Sequence, residues 1–226
     1  MKYIDLTHTL TENIPVWPGA HKLELETLSD YDQGYRLVSV KRSALGIGTH
    51  IDAPTHFVDN KIDIDKIPLE QLIGPLCVID CREKVAANPD YGVSREDVSA
   101  WEKQYGKIPK GSIVVAHTGW SQYWHEPSKY INQDDSSHKH FPGFLAEAAS
   151  VLLERGISGI GIDALSVDVG ISEDFPVHQM VLGANKFQIE NMANLDNVPR
   201  AGALLIALPI KLTAPEAPAR IIALVM

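Results

Sequence analysis

A mixed α/β or α+β fold is the class that the sequence predicts, and three observations support this. Short apolar runs typical of buried strands recur along the chain, helical patterns lie between them, and the two kinds do not alternate strictly. The 226 residues fall within the size of one domain, and 45% hydrophobic with 22% charged residues is ordinary for a globular protein. No linker-like Gly, Pro or Ser block is visible, so we predict a single domain over residues 1–226.

Apolar runs and helical patterns define the expected elements. The predicted strands cover residues 76–80, 112–116, 159–163, 203–207 and 221–225. The predicted helices cover residues 94–105, 142–155 and 176–183. Ser94 and Asp97 form a capping box at the start of the first helix. Gly156 stops the second helix and Pro176 suits the first turn of the third. No glycine-rich phosphate loop follows any predicted strand, which argues against a nucleotide site.

Charge and cysteine usage restrict the expected partners and environment. The net charge of −9 argues against a nucleic-acid partner, because phosphate binding requires clustered Lys and Arg. No apolar run approaches the roughly 18 residues that a membrane span needs, and the polar N-terminus has no signal-peptide core. Cys77 and Cys81 lie too far apart along one strand face for a disulfide, and we expect buried free thiols. These observations predict a cytoplasmic protein with no membrane partner.

The densest group of polar residues lies between Gly48 and His56. In an extended strand, side chains two residues apart share a face, so His50 and Asp52 project together, about 7 Å apart along the strand. Both can bind one ion, since imidazole nitrogen and carboxylate oxygen bind metals at about 2.0–2.2 Å. Pro54 is expected to end the strand, so His56 need not follow the alternation of the strand and could stand beside the ion rather than on it. The alternative is an ordinary polar strand end with a capping Asp and two hydrogen-bonded histidines.

A second polar pair, His178 and Glu190, lies far away in the sequence. Both residues have apolar neighbours, which predicts burial, and burial of a carboxylate is costly unless it is paired or bound to a cation. The two side chains are therefore either metal ligands or partners of each other. At the end of the predicted strand 159–163, Asp163 and Asp168 are expected to serve a turn or to cap a helix, with pocket shaping as the alternative.

Residues 46–56 read Gly-Ile-Gly-Thr-His-Ile-Asp-Ala-Pro-Thr-His and resemble the motif His-Thr-Gly-Thr-His-x-Asp-x-Pro-x-His of the cyclase-like metal hydrolases. This is the family of bacterial kynurenine formamidase and isatin hydrolase. Further matches occur in the same order along nearly the whole chain, at residues 16–19, 118–120, 140–143, 161–168, 176–178 and 190–191. The resemblance implies a swivelling β/β/α fold, a small-molecule substrate and a homo-oligomer, either a dimer or a tetramer.

The resemblance also implies roles for individual residues. Metal ligands are implied at four positions: His50, Asp52, His178 and Glu190. His56 matches a general acid/base, and Trp17 matches an aromatic residue that lines the substrate pocket. His140 is a candidate substrate contact, although the sequence around it also suits a solvated loop. Imidazole and carboxylate ligands together suit Zn or Mn, with one or two ions per chain. The implied function is hydrolysis of a small amide, formamide, lactam or ester through a metal-activated water.

Gly46 departs from the motif, which has its first histidine at this position. The missing side chain would have faced the same ion as His50 and Asp52, because the three positions share strand parity. We therefore expect a single ion, with water or another residue filling the gap. Two ions, one of them loosely bound, and loss of hydrolysis are the alternatives. The competing functions are a non-catalytic metal- or ligand-binding protein, a purely structural oligomer subunit, and a cyclase or dehydratase that uses the same ion.

Overall fold

The computed structural model describes residues 1–225. Its strands are β1 (Lys2–Asp5), β2 (Glu24–Ser29), β3 (Leu37–Arg42), β4 (His50–Asp52), β5 (Ile73–Asp80), β6 (Gly92–Val93), β7 (Ile113–His117), β8 (Gly143–Phe144), β9 (Gly159–Ile162), β10 (Phe187–Glu190), β11 (Ala203–Pro209) and β12 (Glu216–Val225). Its α-helices are α1 (Leu69–Leu72), α2 (Arg82–Ala87), α3 (Arg95–Tyr105), α4 (Pro127–Ile131), α5 (Ala146–Glu154) and α6 (Pro176–Gly183). A short 3-10 helix, Pro54–His56, follows β4 and ends the strand where the proline was expected to end it.

The central sheet closes on itself. Eight strands pair in the order β1-β12-β11-β5-β7-β9-β10-β4, and β12 also pairs with β4, so the sheet forms a barrel. Strands β5, β7, β9 and β10 run parallel to one another, and helices lie in the connections between them, as parallel neighbours require. Strand β4 pairs antiparallel with β10 and with β12, and strand β11 pairs antiparallel with β5 and with β12. As a result, β4 lies between β10 on one edge and β12 on the other.

Two buried apolar clusters lie on opposite faces of this closed sheet. Alternate residues of a strand point to opposite faces, so in β7 Val115 belongs to the inner cluster and Val114 to the outer one. Apolar residues of α3, α5 and α6 complete the outer cluster, which means that these helices cover the outside of the barrel. In β4, Ile51 belongs to the inner cluster, and this directs His50 and Asp52 toward the outer face.

The α/β class and most predicted elements are confirmed. Every predicted strand overlaps an observed strand, although β12 begins at Glu216, well before the predicted start at residue 221. Helices α3 and α6 match two of the predicted helices. Ser94 and Asp97 form the expected capping box at the start of α3. Local sequence signals are therefore sufficient to locate these elements.

The predicted helix over residues 142–155 is wrong at its beginning, because α5 starts at Ala146. Gly143 and Phe144 instead form β8, which pairs with β6. A Cβ at Gly143 would collide with the backbone of Asp168 and Val169, so two backbone segments approach each other closely at this glycine. Backbone pairing at this position overrides the helical periodicity.

The expected state of the cysteines is confirmed, because Cys77 and Cys81 are both buried and free. Burial raises the pKa of both thiols, that of Cys81 to about 12, so both remain protonated at neutral pH. Within residues 1–225, no helix combines the length and the apolar character that a bilayer crossing requires.

Candidate metal centre

Strand β4 places two predicted ligands side by side on the outer face of the barrel. His50 and Asp52 are 3% and 1% exposed, and His50 Nε2 lies 3.3 Å from Asp52 Oδ1. The other ring nitrogen of His50, Nδ1, lies 2.8 Å from the carbonyl oxygen of Gly48. Since a carbonyl only accepts hydrogen bonds, Nδ1 carries the proton of the neutral ring, and the lone pair of Nε2 is left for an ion.

The two neighbouring strands add carboxylates on the same face. Glu190 of β10 is directly opposite His50, and Glu216 of β12 is directly opposite Asp52. Directly opposed residues share a face of the sheet, so all four side chains project toward the same region. Glu190 Oε2 lies 3.6 Å from His50 Nε2. Glu190 Oε1 accepts a hydrogen bond from the backbone N–H of Val167 at 3.0 Å, which holds this carboxylate in place.

Helix α6 supplies the remaining predicted ligand, His178. Its Nε2 lies 3.3 Å from Glu190 Oε1 and 3.8 Å from Asp52 Oδ2. Its Nδ1 donates a hydrogen bond to Asp168 Oδ2 at 2.6 Å. Asp168 also accepts hydrogen bonds from the backbone N–H groups of Val177 and His178. It therefore caps the first turn of α6 and also fixes the ring of His178 with Nε2 facing the cluster.

The four predicted ligands thus converge from β4, β10 and α6, and the cluster fits a divalent cation. Both carboxylate oxygens of Asp52 are buried and accept no hydrogen bond, and an unsatisfied buried charge is costly. Imidazole nitrogens and carboxylate oxygens are ligands that Zn²⁺ and related transition metals prefer. Two sets of three ligand groups have atoms within 4.8 Å of one another: Asp52 with His56 and His178, and Asp52 with His50 and Glu216.

The excess of carboxylates gives the cluster a strong tendency to attract positive charge. Burial disfavours protonation of His50, but the carboxylates of Asp52 and Glu190 outweigh it and raise the pKa of His50 to about 10. Burial likewise opposes protonation of His178, yet Asp168 and Glu190 raise its pKa to about 10. Although burial favours the neutral acid, the imidazoles hold the pKa of Asp52 below its usual value. A cation bound among these groups would replace the protons.

Glu216 is the member of this cluster that sequence reasoning missed. A Cβ at Gly46 would overlap Glu216 Oε1, so the carboxylate occupies the space that a side chain at position 46 would need. Its other oxygen, Oε2, lies 3.7 Å from His56 Nδ1. The sequence signal is one acidic residue at the start of a mostly apolar segment, and the pairing of that segment with β4 cannot be read from it.

A cavity of about 330 Å³ opens beside the cluster. The two predicted imidazole ligands, His50 and His178, reach its wall together with Glu190 and Glu216. His56, the predicted acid/base, also lines the cavity, and its side chain is 27% exposed. A molecule bound in the cavity would therefore contact the ligand cluster and the ring of His56 at the same time.

Aromatic side chains form another part of the cavity wall. Trp17, the aromatic residue expected at a substrate pocket, lines the cavity with Phe57 and Phe175. The Trp17 ring lies 6.4 Å from the ring of Phe141 and 5.9 Å from that of Phe175, measured between centroids. Lys139 Nζ lies 4.6 Å from the centre of the Trp17 ring, within the range of a cation–π interaction. These contacts hold Trp17 as a flat apolar surface beside the polar cluster.

His140, the weaker candidate for a substrate contact, is not among the residues that line this cavity. Its Nδ1 lies 2.9 Å from Asp90 Oδ2, and its Nε2 lies 3.5 Å from Asp134 Oδ2. The hydrogen bond to Asp90, with a contribution from Asp134, raises the pKa of His140 above its usual value. The structure therefore pairs His140 with two carboxylates, and its role as a substrate contact stays a prediction.

Known proteins resemble this chain over most or all of its length. A family model, Putative cyclase, matches residues 4–169. Isatin hydrolase of Roseibium aggregatum is 32% identical over 243 aligned residues, which cover 100% of this chain and 92% of the relative. Kynurenine formamidase of Salinibacter ruber is 25% identical, over 96% of this chain and 94% of the relative.

Solved structures show the same similarity. Isatin hydrolase A from Ralstonia solanacearum matches with a TM-score of 0.94 and 30% identity, over 100% of this chain and 92% of that chain. A "predicted metal-dependent hydrolase" from Bacillus stearothermophilus matches with a TM-score of 0.74 and 27% identity, over 98% and 97% of the two chains. The swivelling β/β/α fold that the sequence resemblance implied is confirmed by these matches. By its family model and its full-length relatives, the chain belongs to the cyclase family.

Proposed function

We propose that the protein is a metal-dependent hydrolase of a small aryl amide, formamide or lactam, with aryl esters as further candidate substrates. The observation that carries this proposal is the buried carboxylate of Asp52, which has no hydrogen-bond donor and faces two imidazoles beside a cavity. Such a group is stable only with positive charge next to it. The relatives support the reaction class, since they are named isatin hydrolase and kynurenine formamidase, and a structural neighbour is named a metal-dependent hydrolase.

The proposed ligands of the ion are those predicted from the sequence: His50, Asp52, His178 and Glu190. Zn and Mn both suit this mixture of imidazole and carboxylate. When bound, such an ion supplies a Lewis acid that makes water nucleophilic at neutral pH. The Gly48 carbonyl and the Asp168 carboxylate hold the two imidazoles with Nε2 turned inward. The protein thereby orients its ligands before the ion arrives.

His56 is proposed to move the proton during hydrolysis. Its ring lines the cavity, where it can accept a proton from the attacking water and return it to the leaving nitrogen or oxygen. Glu216 Oε2, 3.7 Å from His56 Nδ1, would stabilise the ring after it has taken up the proton. Because His56 also belongs to one of the two sets of potential ligands, its role must be separated from metal binding by experiment.

The cavity wall favours a flat substrate of modest size. Trp17, Phe57 and Phe175 present aromatic surfaces beside the ligand cluster, and such surfaces pack well on planar rings. A volume of about 330 Å³ is near the lower end of the range for small-molecule sites. A molecule with one or two rings and a carbonyl at its edge would fill this space and place the carbonyl next to the ion.

We also propose that the protein is a homo-oligomer, either a dimer or a tetramer. Strands β2 and β3 form a separate two-stranded sheet with exposed apolar side chains: Leu25, Leu28, Leu37, Val38 and Val40. Exposed apolar surface of this kind often marks a protein–protein contact, and a symmetric second copy is the commonest partner. A single domain over residues 1–226 and a cytoplasmic location stay predictions.

Metal removal combined with a small substrate panel tests the proposed function. Protein purified without chelator should contain Zn or Mn and should hydrolyse a member of a panel of formanilides, isatin-like lactams and aryl esters. Dialysis against a chelator should abolish turnover, and added metal should restore it. Bound metal without turnover on any member would favour a non-catalytic binding protein, whereas a cyclised or dehydrated product would favour a cyclase or dehydratase. Absence of bound metal would favour a structural role.

A further inference from the structure

The geometry points to Glu216 as a metal ligand that takes the place left open by Gly46. This inference rests on the proposed metal site and adds to it a residue that lies outside the motif of residues 46–56. The strand register, the space at Gly46 and the charges around the carboxylate each support it.

Barrel closure places Glu216 on the face of the cluster. Strand β12 pairs with β4, and Glu216 is directly opposite Asp52 in this ladder. The next residue, Ala217, is buried in the inner cluster, so Glu216 projects outward, where His50 and Asp52 also project. One ligand atom from each of Glu216, His50 and Asp52 lies within 4.8 Å of the other two. One ion can therefore contact all three side chains after small rotations.

Gly46 makes room for this carboxylate. A Cβ at position 46 would overlap Glu216 Oε1 and would come within 2.7 Å of Glu216 Cδ. With any residue other than glycine here, the Glu216 carboxylate would have to leave its present position. Gly46 is not among the glycines with positive φ, so its backbone conformation does not demand glycine. Space for the carboxylate is therefore the reason that the structure offers for glycine at this position.

The charges around Glu216 call for a cation. Within residues 1–225, its one ion-pair contact is with His56, at 3.7 Å, and neither Lys nor Arg pairs with it. Asp52, which carries the same charge, is directly opposite, and like charges at opposed strand positions destabilise a sheet. A role limited to orienting His56 would use Oε2 alone and would leave the position of Oε1 at Gly46 unexplained. A cation shared by Glu216, Asp52 and His50 relieves the repulsion between the two carboxylates.

Titration of Mn²⁺ into metal-free protein, followed by calorimetry and by metal analysis, tests this inference. Glu216→Ala should weaken Mn²⁺ binding at least about 100-fold, since loss of an outer-shell partner alone costs about 10–100-fold. Glu216→Gln keeps the size of the side chain without its charge, and it should weaken binding in the same direction but less. Glu70→Ala, at an exposed glutamate of α1, is the matched control and should bind Mn²⁺ like the wild type.

Position 46 provides the reciprocal test. In the Glu216→Ala background, Gly46→His finds the space free and adds an imidazole, so the double variant should recover much of the lost affinity for Mn²⁺. In the wild-type background, the same substitution collides with Glu216 and should not strengthen binding. Recovery of Mn²⁺ affinity in the double variant alone would show that side chains at positions 46 and 216 compete for the same coordination position on the ion.

The possible results separate this inference from the proposed function. Unchanged Mn²⁺ affinity in both Glu216 variants would overturn the inference and leave the hydrolase proposal intact. Reduced kcat with unchanged affinity would make Glu216 a positioning residue for His56, which also overturns it. A wild-type protein that binds no divalent ion would overturn both. Thermal melting followed by circular dichroism identifies a folding defect. If Glu216→Ala does not fold, the Mn²⁺ affinity of the isosteric Glu216→Gln variant tests the inference.

Discussion

Asp52 and Asp163 are both buried carboxylates, but their surroundings are opposite. Asp163, directly after β9, is 0% exposed, and it accepts hydrogen bonds from the backbone N–H groups of Thr118 and Gly119 and from the Thr118 hydroxyl at 2.6–2.8 Å. Burial raises the pKa of the Asp163 carboxyl, and these donors oppose the rise. Asp52 is 1% exposed and accepts no hydrogen bond; its neighbours are imidazoles and other carboxylates.

The difference teaches that burial alone does not identify a candidate ligand. A buried carboxylate with three donors is satisfied by hydrogen bonds of the fold, whereas one without donors depends on neighbouring positive charge, which protonated imidazoles or a bound cation supply. Asp168 combines the two situations, because it accepts backbone hydrogen bonds from Val177 and His178 and also holds the ring of His178 toward the cluster. The supply of hydrogen-bond donors therefore separates structural carboxylates from ligand carboxylates in this protein.

Asp52→Asn should have the largest effect on metal binding. The carboxylate belongs to both sets of potential ligands, so its loss should lower affinity for Mn²⁺ or Zn²⁺ by more than about 100-fold and abolish hydrolysis. Metal analysis and steady-state kinetics check both expectations. Full metal retention would reject the ligand set.

His56→Ala should reduce turnover by about 100- to 10,000-fold, the usual contribution of a general acid/base, while bound metal stays nearly unchanged. Steady-state kinetics and metal analysis on the same sample measure the two effects. His138→Ala, at an exposed histidine away from the cavity, is the matched control. Metal loss in His56→Ala would instead make His56 a ligand and would assign it to the set that contains Asp52 and His178.

Asp168→Asn should reduce metal affinity by about 10–100-fold, the range found when a partner of a metal-binding histidine is replaced. The cause is weaker orientation of the His178 ring, since the charge-assisted hydrogen bond to Nδ1 is lost. Titration with Mn²⁺ measures the affinity, and urea denaturation measures the accompanying loss of capping. Normal affinity together with a lower free energy of unfolding would restrict Asp168 to capping α6.

Asp163→Asn should have the smallest effect on metal binding and a clear effect on stability. An amide in place of the carboxylate leaves a backbone N–H facing another donor, which should lower the free energy of unfolding by about 1–3 kcal/mol. Metal affinity should remain that of the wild type. Urea denaturation of the metal-free protein and Mn²⁺ titration provide the two values. The comparison with Asp52 fails if Asp163→Asn loses metal affinity without losing stability.

Parts of the site that depend on local pattern are predictable from the sequence. His50 and Asp52 share a face because strand residues alternate, and Pro54 marks the end of that strand. The structural alternatives for His178 and Glu190 could not be decided from the sequence, because their distance from β4 depends on how α6 and β10 pack. The resemblance to the family motif provided the assignment, and the structure brings these side chains to the cluster.

Features that arise from long-range pairing could not be predicted from the sequence. Glu216 joins the cluster only because β12 closes the barrel against β4, and the position of the closing register is a property of the whole sheet. The beginning of α5 was misplaced because Gly143 lies against the backbone of Asp168, a contact that helical periodicity cannot reveal. In both cases the missing information is a distant neighbour rather than a local preference.

The central claim is that the polar side chains around Asp52 hold a divalent ion. Anomalous scattering from a crystal grown with Mn²⁺ tests this claim most directly, because it counts the ions and identifies the groups around them. We predict an anomalous peak about 2.0–2.2 Å from ligand atoms of Asp52, His50 and His178, with carboxylate oxygens of Glu190 and Glu216 completing the contacts. A peak remote from these side chains, or no peak at all, would contradict the account.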